Sequence, residues 1–421
     1  MAAPPSCALN LSGGVALLVF SGVVLGFEMQ RGCHGGGASN IVICGLACFG
    51  FSLLLPADDL KGLKLIPEDV SLFDESLAWD TAFGVRTGVG YKDNVLLSHL
   101  DRQGSPFVAS GLDVSIIRLP FDGLQFYFFF TGDDSRYWHD VGVDREDTTV
   151  AEAQVQKEIG NDLKLGVAFQ HAYQDQVVDV STIESGLSTA RVQGQTFILR
   201  PFLRNEFALN YWWQFELPVT RQLLKAPLDN YWQYGAKVSV GREYGHQSEL
   251  TLSYAASELL YDTRFQFDAD GMEVLGAPLA LSQYKVELGS QHYWDATRHW
   301  RTAAKLGFDY NQDNGSGYFS YFKYEVSAQV RYQSPACELR GKLGVAHYDF
   351  PVQTIDSASV TNLTGLPKFA KTSLLLNLRA EMKVTKVLRL FAEYEHEVSL
   401  SNEPFDRYRV NTVNGGLDWR F

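Results

Sequence analysis

Charged side chains recur at every second position in several stretches of the chain. Lys323 precedes Glu325 by two residues and Arg379 precedes Glu381 by two, so in an extended strand each pair projects from one face. Charges of both signs on one face suit the attraction and orientation of small ions and dipolar solutes. The pattern predicts a charged wall facing water, built from Arg86, Lys323, Glu325, Arg331, Arg340, Lys342, Arg379, Glu381, Arg389 and Glu393.

Motifs for catalysis or for a cofactor are not found in the sequence. Neither HExxH nor GxSxG occurs, and the five cysteines include no CxxC pair, so no metal site is predicted. Gly84, Gly88 and Gly90 alternate with large apolar residues and precede no helical pattern. They indicate small residues on a strand face and not a phosphate-binding loop. We therefore predict no cofactor and no enzyme, with a barrel enzyme as the less favoured alternative.

Alternation of apolar and polar residues with a period of two runs through most of the chain after the first 57 residues. In residues 163–173, for example, Leu165 and Val167 fall on one face and Lys164 falls on the other. Such alternation predicts strands with one apolar face. Sixteen strands are predicted, at residues 81–93, 107–118, 123–131, 148–158, 162–174, 189–204, 206–217, 230–243, 248–259, 280–291, 301–311, 317–333, 338–348, 370–384, 387–397 and 408–421.

The connections between these strands alternate in length and in charge. With one exception, those after even-numbered strands are short and those after odd-numbered strands are long, and the long ones hold most of the acidic excess of a chain with net charge -13. An even strand count with this alternation is typical of outer-membrane barrels. The sequence predicts an all-β fold, a transmembrane antiparallel up-and-down barrel of about 16 strands with both termini in the periplasm. The acidic balance argues against nucleic-acid binding.

Aromatic residues make up 13% of the chain and crowd the ends of the predicted strands. Rings at both membrane surfaces are typical of a transmembrane barrel. Because lipid excludes open sheet edges, strands inserted in it must close into a ring. We expect Tyr91, Tyr173, Trp213, Phe215, Trp232, Tyr234, Tyr310, Tyr321 and Phe322 near the outer ends, and Trp300, Trp419 and Phe421 near the inner ends.

The last strand carries Leu417, Trp419 and the terminal Phe421 at alternate positions. This ending resembles the assembly signal of Gram-negative outer-membrane β-barrels, and the opening strand, FGVRTGVGYKDNVLLS, is similar to that of a loose group of porins. Gly415 departs from the large residues usual at such an ending. The resemblance implies a location in the bacterial outer membrane, recognition by the barrel-assembly machinery, and contact with outer-membrane lipid and lipopolysaccharide.

The first 57 residues contain two apolar runs and are expected to form a leader with a signal peptide. The second run ends at Leu55-Pro56-Ala57, a plausible cleavage pattern just before two acidic residues. Arg31 would give this signal a basic start if translation began at Met29, which we expect to be the functional start. Residues 58–80 are predicted to form a short periplasmic segment and residues 81–421 the barrel. A helical hairpin anchor in the inner membrane is the alternative for the leader.

Sixteen strands form a ring wide enough for an aqueous lumen, so we expect a passive channel for small hydrophilic solutes. A loop folded inward would constrict it, and the candidates are the loop with Asp175, Asp179 and Glu184, and residues 349–369. The charged wall has two interpretations: a basic wall that faces an acidic inward loop, or a salt-bridged wall that merely keeps the lumen wet. The alternative functions are a non-conducting surface adhesion or assembly barrel, and the port of a polymer export system. The sequence does not decide between a single barrel and a homotrimer.

Overall fold

The computed structural model describes residues 17–20, 23–26, 79–119, 123–139, 142–160, 162–184, 188–208, 210–355 and 367–421. Within the N-terminal unit, Leu17–Phe20 and Val23–Gly26 form a short antiparallel hairpin. The predicted cleavage site, the start at Met29 and the periplasmic segment up to residue 78 lie outside the described residues. In the described ranges, no helix has both the length and the apolar character needed to cross a membrane.

The described residues of the second unit form sixteen strands. Their bounds are Trp79–Lys92 (β1), Ser105–Arg118 (β2), Leu124–Tyr137 (β3), Arg145–Ile159 (β4), Leu163–Asp179 (β5), Thr189–Ala208 (β6), Tyr211–Glu216 continued by Val219–Leu224 (β7), Tyr231–Tyr244 (β8), Ser248–Phe267 (β9), Glu273–Tyr293 (β10), Trp300–Asp313 (β11), Tyr321–Gln333 (β12), Cys337–Thr354 (β13), Lys368–Lys383 (β14), Leu388–Ser401 (β15) and Tyr408–Arg420 (β16).

Each strand pairs antiparallel with the next one along the chain, and the ring closes where β16 pairs with β1. At this closing seam Thr412 lies opposite Lys92. Phe421 extends the seam, since its amide donates to the Phe83 carbonyl at 2.8 Å and its carbonyl accepts from the Phe83 amide at 3.2 Å. Closure leaves no free sheet edge. The predicted sixteen-stranded barrel is confirmed.

The seventh strand departs most from the prediction, which placed it at residues 206–217. The chain turns at Asn210, whose φ of 70° lies in the left-handed region that asparagine tolerates, and β7 begins at Tyr211. The strand is interrupted near Pro218, which has no amide hydrogen to give to the ladder. The alternation of residue types continues through the turn, so the sequence pattern gives no sign that the chain turns at Asn210.

The shift of β7 also moves two of the aromatic residues expected at the outer ends. We call the end of the barrel that holds Trp79 and the chain terminus the terminal end, and the opposite end the loop end. Trp213 and Phe215 follow the β6–β7 turn and therefore lie toward the terminal end. Tyr321 lies at the loop end with the other residues of its group, and its ring faces inward and packs on a buried cluster. The placements of Trp213 and Phe215 were predicted wrongly.

Several strands extend further at the loop end than the alternation predicted. β9 continues to Phe267 and β10 begins at Glu273, so most of the predicted long connection lies in strands, which pair irregularly with register shifts beyond Leu260. The polar residues Asp262, Thr263 and Arg264 follow one another there and interrupt the alternation. The period-two signal fades where one face ceases to be apolar.

The outward face of the barrel is apolar. On β5, the side chains of Leu165, Val167 and Phe169 alternate with inward residues and are 51%, 41% and 45% exposed. Exposed leucine, valine and aromatic side chains recur on strands all around the ring. A band of this extent suits lipid and would be unfavourable in water. The chain is a closed antiparallel β-barrel whose outward face is apolar, as in a transmembrane barrel.

Candidate functional site

The β5–β6 hairpin leaves the wall and crosses the mouth of the lumen at the loop end. β5 last pairs with β4 at Asp175, whereas its pairing with β6 continues to Asp179. Beyond this point the amide of Val177 donates instead to the Glu146 carboxylate, at 3.2 Å. The tip of the hairpin contacts β14, which is seven strands away around the ring. We name residues 176–184 and 188–192 the inward hairpin.

Lys371 of β14 holds the tip of the inward hairpin. Its side chain is fully buried, and its ammonium donates to the Asp179 carboxylate and, at 2.6 Å, to the Ser181 hydroxyl. Asp179 also accepts hydrogen bonds from the Ser181 amide at 3.1 Å and from its hydroxyl at 2.8 Å. Removing one member of a buried ion pair leaves the other charge uncompensated. The pair therefore holds the hairpin across the mouth.

Two further contacts anchor the inward hairpin elsewhere on the rim. Arg264, at the loop end of β9, donates to the Glu184 carboxylate at 2.9 Å and to the Ile183 carbonyl. Ser188 donates at 2.5 Å to Asp406, in the connection between β15 and β16. Burial raises the pKa of the Glu184 carboxyl and the pKa of the Asp406 carboxyl. The hairpin is thus tied to three separate parts of the rim.

Apolar side chains pack around the inward hairpin on both sides. Val180 and Val192 of the hairpin form a buried cluster with Leu228 of the β7–β8 connection. On the other side, Val177 packs with residues of the β1–β2 connection and of β16, namely Val95, Leu97, Tyr408 and Val410. Because these clusters exclude water, the mouth of the lumen is narrowed around the hairpin.

The candidate constriction residues do not all lie in one place. Asp179 and Glu184 belong to the inward hairpin and contact the far rim. Asp175 instead lies in the wall, where its buried carboxylate accepts from an arginine of β6 at 2.7 Å. The second candidate, residues 349–369, supplies the ends of β13 and β14, and its residues 356–366 lie outside the described part of the chain.

Most of the charged side chains predicted on the wall pair with one another. Ion pairs join Arg86 to Asp113 (3.3 Å) and Asp133 (3.1 Å), Lys323 to Glu325 (2.9 Å), Arg331 and Arg340 to Glu338 (2.9 and 3.0 Å), Arg379 to Glu381 and Glu393 (2.9 Å each), and Arg389 to Glu381 (3.2 Å). Lys342 is exposed and forms no ion pair with any residue that the structure describes. Neighbouring charges on the wall thus compensate one another, as the salt-bridged interpretation expects. The carboxylates of the inward hairpin, Asp179 and Glu184, are paired with Lys371 and Arg264 instead of facing an unpaired basic wall.

Two residues that anchor the inward hairpin, Lys371 and Arg264, were not among the predicted site residues. Lys371 lies an even number of residues before Arg379, so the strand parity places both on the inward face. The strand parity therefore predicted the face on which Lys371 lies, but it did not predict that Asp179 would be its partner. Arg264 fell in a stretch predicted as a loop, and only the extended β9–β10 hairpin brings it to the inward hairpin.

A cavity of about 510 Å³ opens in the lumen beside the closing seam. Its walls are β1–β3 on one side and β13–β16 on the other, and we name it the seam cavity. Phe107 and Phe391 supply apolar surface. Its charged lining residues are Arg86, Asp113, Asp133, Asp134, Arg340, Arg379, Glu381, Glu393, Glu395 and Arg420.

No protein-family model matches the chain, and no curated protein matches it. Solved structures are similar to it at low identity. They include a bacterial polysaccharide outer membrane secretin (12% identity, TM-score 0.40, 80% of this chain and 98% of that chain). Similar as well is the anion-selective porin from Comamonas acidovorans (12% identity, TM-score 0.42, 82% of this chain and 100% of that chain). So is OmpF of Salmonella typhi in complex with daunomycin (9% identity, TM-score 0.44, 82% of this chain and 97% of that chain).

Proposed function

We propose that this outer-membrane barrel is a channel for the passive diffusion of small hydrophilic solutes. The observation that carries the proposal is the contrast between the two faces of one wall. The outward face is apolar, whereas the inward face carries paired charges and borders a cavity of about 510 Å³. Charged side chains on an inward face are stable only if water reaches many of them, and a ring of this size encloses water.

The inward hairpin is the proposed constriction of this channel. Asp179 and Glu184 hold it across the mouth through Lys371 and Arg264. Because these carboxylates are already paired, the field that they impose on a passing solute is small. The width left beside the hairpin then governs which solutes pass, so the channel sorts them chiefly by size.

The surroundings of the barrel follow from the same proposal. The apolar outward face contacts outer-membrane lipid, with lipopolysaccharide on the outer side. Leu417, Trp419 and Phe421, which end β16, serve as the signal for the barrel-assembly machinery. A homotrimer would bury part of the apolar face of each copy. The leader with its signal peptide, residues 1–57, would be removed on export, and residues 58–80 would stay in the periplasm.

Osmotic swelling of liposomes tests the proposal. The full chain is folded into liposomes, and the swelling rate is measured in neutral sugars of increasing size, from a pentose to a trisaccharide. The proposal predicts rapid swelling in the smallest sugar and a steady fall with solute size. Liposomes that carry heat-unfolded protein serve as the control. Swelling no faster than this control, even in the smallest sugar, would reject a channel.

A second function is favoured by one observation, the buried contact between the inward hairpin and β14. A barrel closed at its mouth would act as a non-conducting surface adhesion or assembly module. It predicts no swelling for the unaltered protein and swelling only when Lys371→Met releases the hairpin. A channel narrowed by the hairpin predicts swelling for the unaltered protein and faster swelling for the variant. Nothing in the described part of the chain favours the port of a polymer export system.

A further inference from the structure

We propose that the wall of the lumen near the terminal end binds a small organic solute with an anionic group at each end of a short chain. This inference rests on the proposed function, because it names a class of solute that the channel would select. The residues that carry it lie on β11, β12 and β13, and we name them the basic strip: Arg301, Arg331, Arg340 and Lys342.

The register between three neighbouring strands places three arginines of the basic strip in a row. Arg301 lies directly opposite Arg331, and Arg331 lies directly opposite Arg340. Residues directly opposite each other share one face of a sheet, here the inward face, and with strands about 4.8 Å apart the row spans about 10 Å. Like charges at such positions are destabilising. An anion bound along the row would offset that repulsion.

Carboxylates are scarce beside this row. The charged residues within 300–304, 329–333 and 337–343 are the four cations of the basic strip and Glu338. Glu338 accepts from Arg331 at 2.9 and 3.2 Å and from Arg340 at 3.0 Å. One carboxylate compensates four cations only in part, so the basic strip keeps a net positive charge.

The strands on either side do not remove this excess. On β10, the residue opposite Arg301 is Tyr293, which is uncharged. On β14, the residues opposite Arg340 and Glu338 are Arg379 and Glu381, which pair with each other at 2.9 Å. Arg340 also borders the seam cavity, where carboxylates outnumber arginines. The anionic solute is therefore expected on the β11–β13 side of Arg340.

Two cations of the basic strip are open to the lumen. The Arg340 side chain is 41% exposed, and within the described part of the chain its guanidinium makes one hydrogen bond, to Glu338. Lys342 is exposed and has no ion pair among the residues that the structure describes. A guanidinium with open donors binds a carboxylate in a planar, two-bond arrangement, and an ammonium offers three donors. Both cations can therefore take an anionic group.

The spacing of these two cations favours a solute with two anionic groups. Arg340 and Lys342 are two residues apart on one strand, a separation of about 7 Å between their backbones. A solute with one anionic group engages one of them and leaves the other to water. An anion whose two charges share a single centre meets the same limit, and a cationic solute is repelled.

Equilibrium dialysis of the full, folded chain in a non-ionic detergent tests the inference, with radiolabelled adipate as the probe. Unlabelled adipate, hexanoate, hexane-1,6-diammonium and sulfate compete with it at equal ionic strength. We expect unlabelled adipate to displace the label at a concentration at least tenfold lower than hexanoate or sulfate, and the diammonium compound not to displace it. No saturable uptake of adipate, or displacement by hexanoate or sulfate at the concentration that suffices for adipate, would overturn the inference.

Variants that have been shown to fold by heat-modifiable mobility then locate the site. Lys342→Gln and Arg340→Gln should each weaken the binding of adipate at least tenfold; in the second variant Glu338 keeps its two hydrogen bonds from Arg331. The matched control is Lys164→Gln, which removes a lysine at the terminal end of β5, eight strands away around the ring. It should leave the affinity unchanged. Unchanged affinity in either strip variant, or an equal loss in the control, would reject the basic strip as the site.

Liposome swelling in neutral sugars separates this inference from the proposed function. Swelling without binding of adipate rejects the basic strip as a binding site and leaves the channel intact. Binding of adipate without swelling keeps the site and rejects the channel.

Discussion

Replacing Lys371 by methionine should release the inward hairpin from β14. The lysine side chain is fully buried, and its ammonium is the cation paired with the buried Asp179. Methionine has nearly the same length and fills the same space without the charge. In the variant, Asp179 keeps its hydrogen bonds from Ser181 but loses its counter-ion. A buried carboxylate without a counter-ion destabilises the docked hairpin.

The size of the effect follows from the burial of the pair. Removing one partner of a buried ion pair costs about 3–5 kcal/mol. The cost falls on the docked state alone, because Asp179 is hydrated once the hairpin moves into water. The docking equilibrium should therefore shift toward the undocked hairpin by a factor of roughly 10² to 5 × 10³. The hairpin would then spend far more time away from β14, and the mouth would be wider.

Single-channel recording in planar bilayers measures this shift as open time and conductance. The Lys371→Met variant should spend at least tenfold more time in its largest conductance state than the unaltered protein. Lys383→Met, on the same strand but exposed, is the matched control and should behave like the unaltered protein. A second replacement, Asp179→Leu in the Lys371→Met background, should restore the narrow state, because an apolar pair can replace a buried ion pair at little cost.

One contradicting result is a Lys371→Met variant with the gating and conductance of the unaltered protein. The other is a double variant that opens further than the single one. In either case the charge pair at Lys371 and Asp179 would not hold the hairpin.

Three other predictions follow from the seam and the rim. When the hairpin is docked, burial raises the pKa values of its Glu184 and of Asp406, which Ser188 contacts. Their contribution to docking is therefore present below the ordinary carboxyl pKa and is lost as the pH rises through the raised values. Conductance in bilayers should fall between pH 7 and pH 4, and a rise on acidification would contradict this. Gly416→Ala puts a Cβ atom 2.0 Å from a backbone carbonyl oxygen of β1 and should destabilise the barrel by about 1–3 kcal/mol, measured by urea unfolding in detergent. Gly341→Ala is the control, because its Cβ atom would make only an ordinary contact at 3.5 Å, and it should leave the stability unchanged. Deleting Phe421 removes two backbone hydrogen bonds of the seam and should lower outer-membrane insertion while export across the inner membrane continues, as fractionation and heat-modifiable mobility would show; insertion at the normal level would refute its role.

The barrel wall could be predicted from the sequence because residue types alternate along each strand according to the face on which each side chain lies. A lipid-facing strand such as β5 needs apolar residues at every second position for its whole membrane length. Sixteen repeats of that signal fix the strand count. Where the same alternation continued through the turn at Asn210, the sequence held nothing that marked the boundary, and β7 was misplaced.

The inward hairpin was only partly predictable for a different physical reason. Its carboxylates could be named from the acidic loop, but their partners are distant in sequence. Asp179 and Lys371 are separated by 192 residues, and Glu184 and Arg264 by 80. No local pattern links such positions. The pairs form only after the ring closes and brings β5, β9 and β14 around a common lumen.

The pairing of charges inside the lumen could not be predicted from local sequence either. Parity placed Arg379 and Glu381 on the inward face, yet it did not show that Glu381 would accept from three arginines. Which cation meets which carboxylate depends on the register between strands. That register is set by the ring and not by any one strand.

Single-channel recording of the full folded chain in a planar bilayer shows whether this barrel is an open water-filled channel. We expect discrete conductance steps whose size grows in proportion to the salt concentration and whose open times lengthen in the Lys371→Met variant. If the unaltered protein is shown to be folded and inserted and the bilayer still stays silent, the barrel is not an open channel.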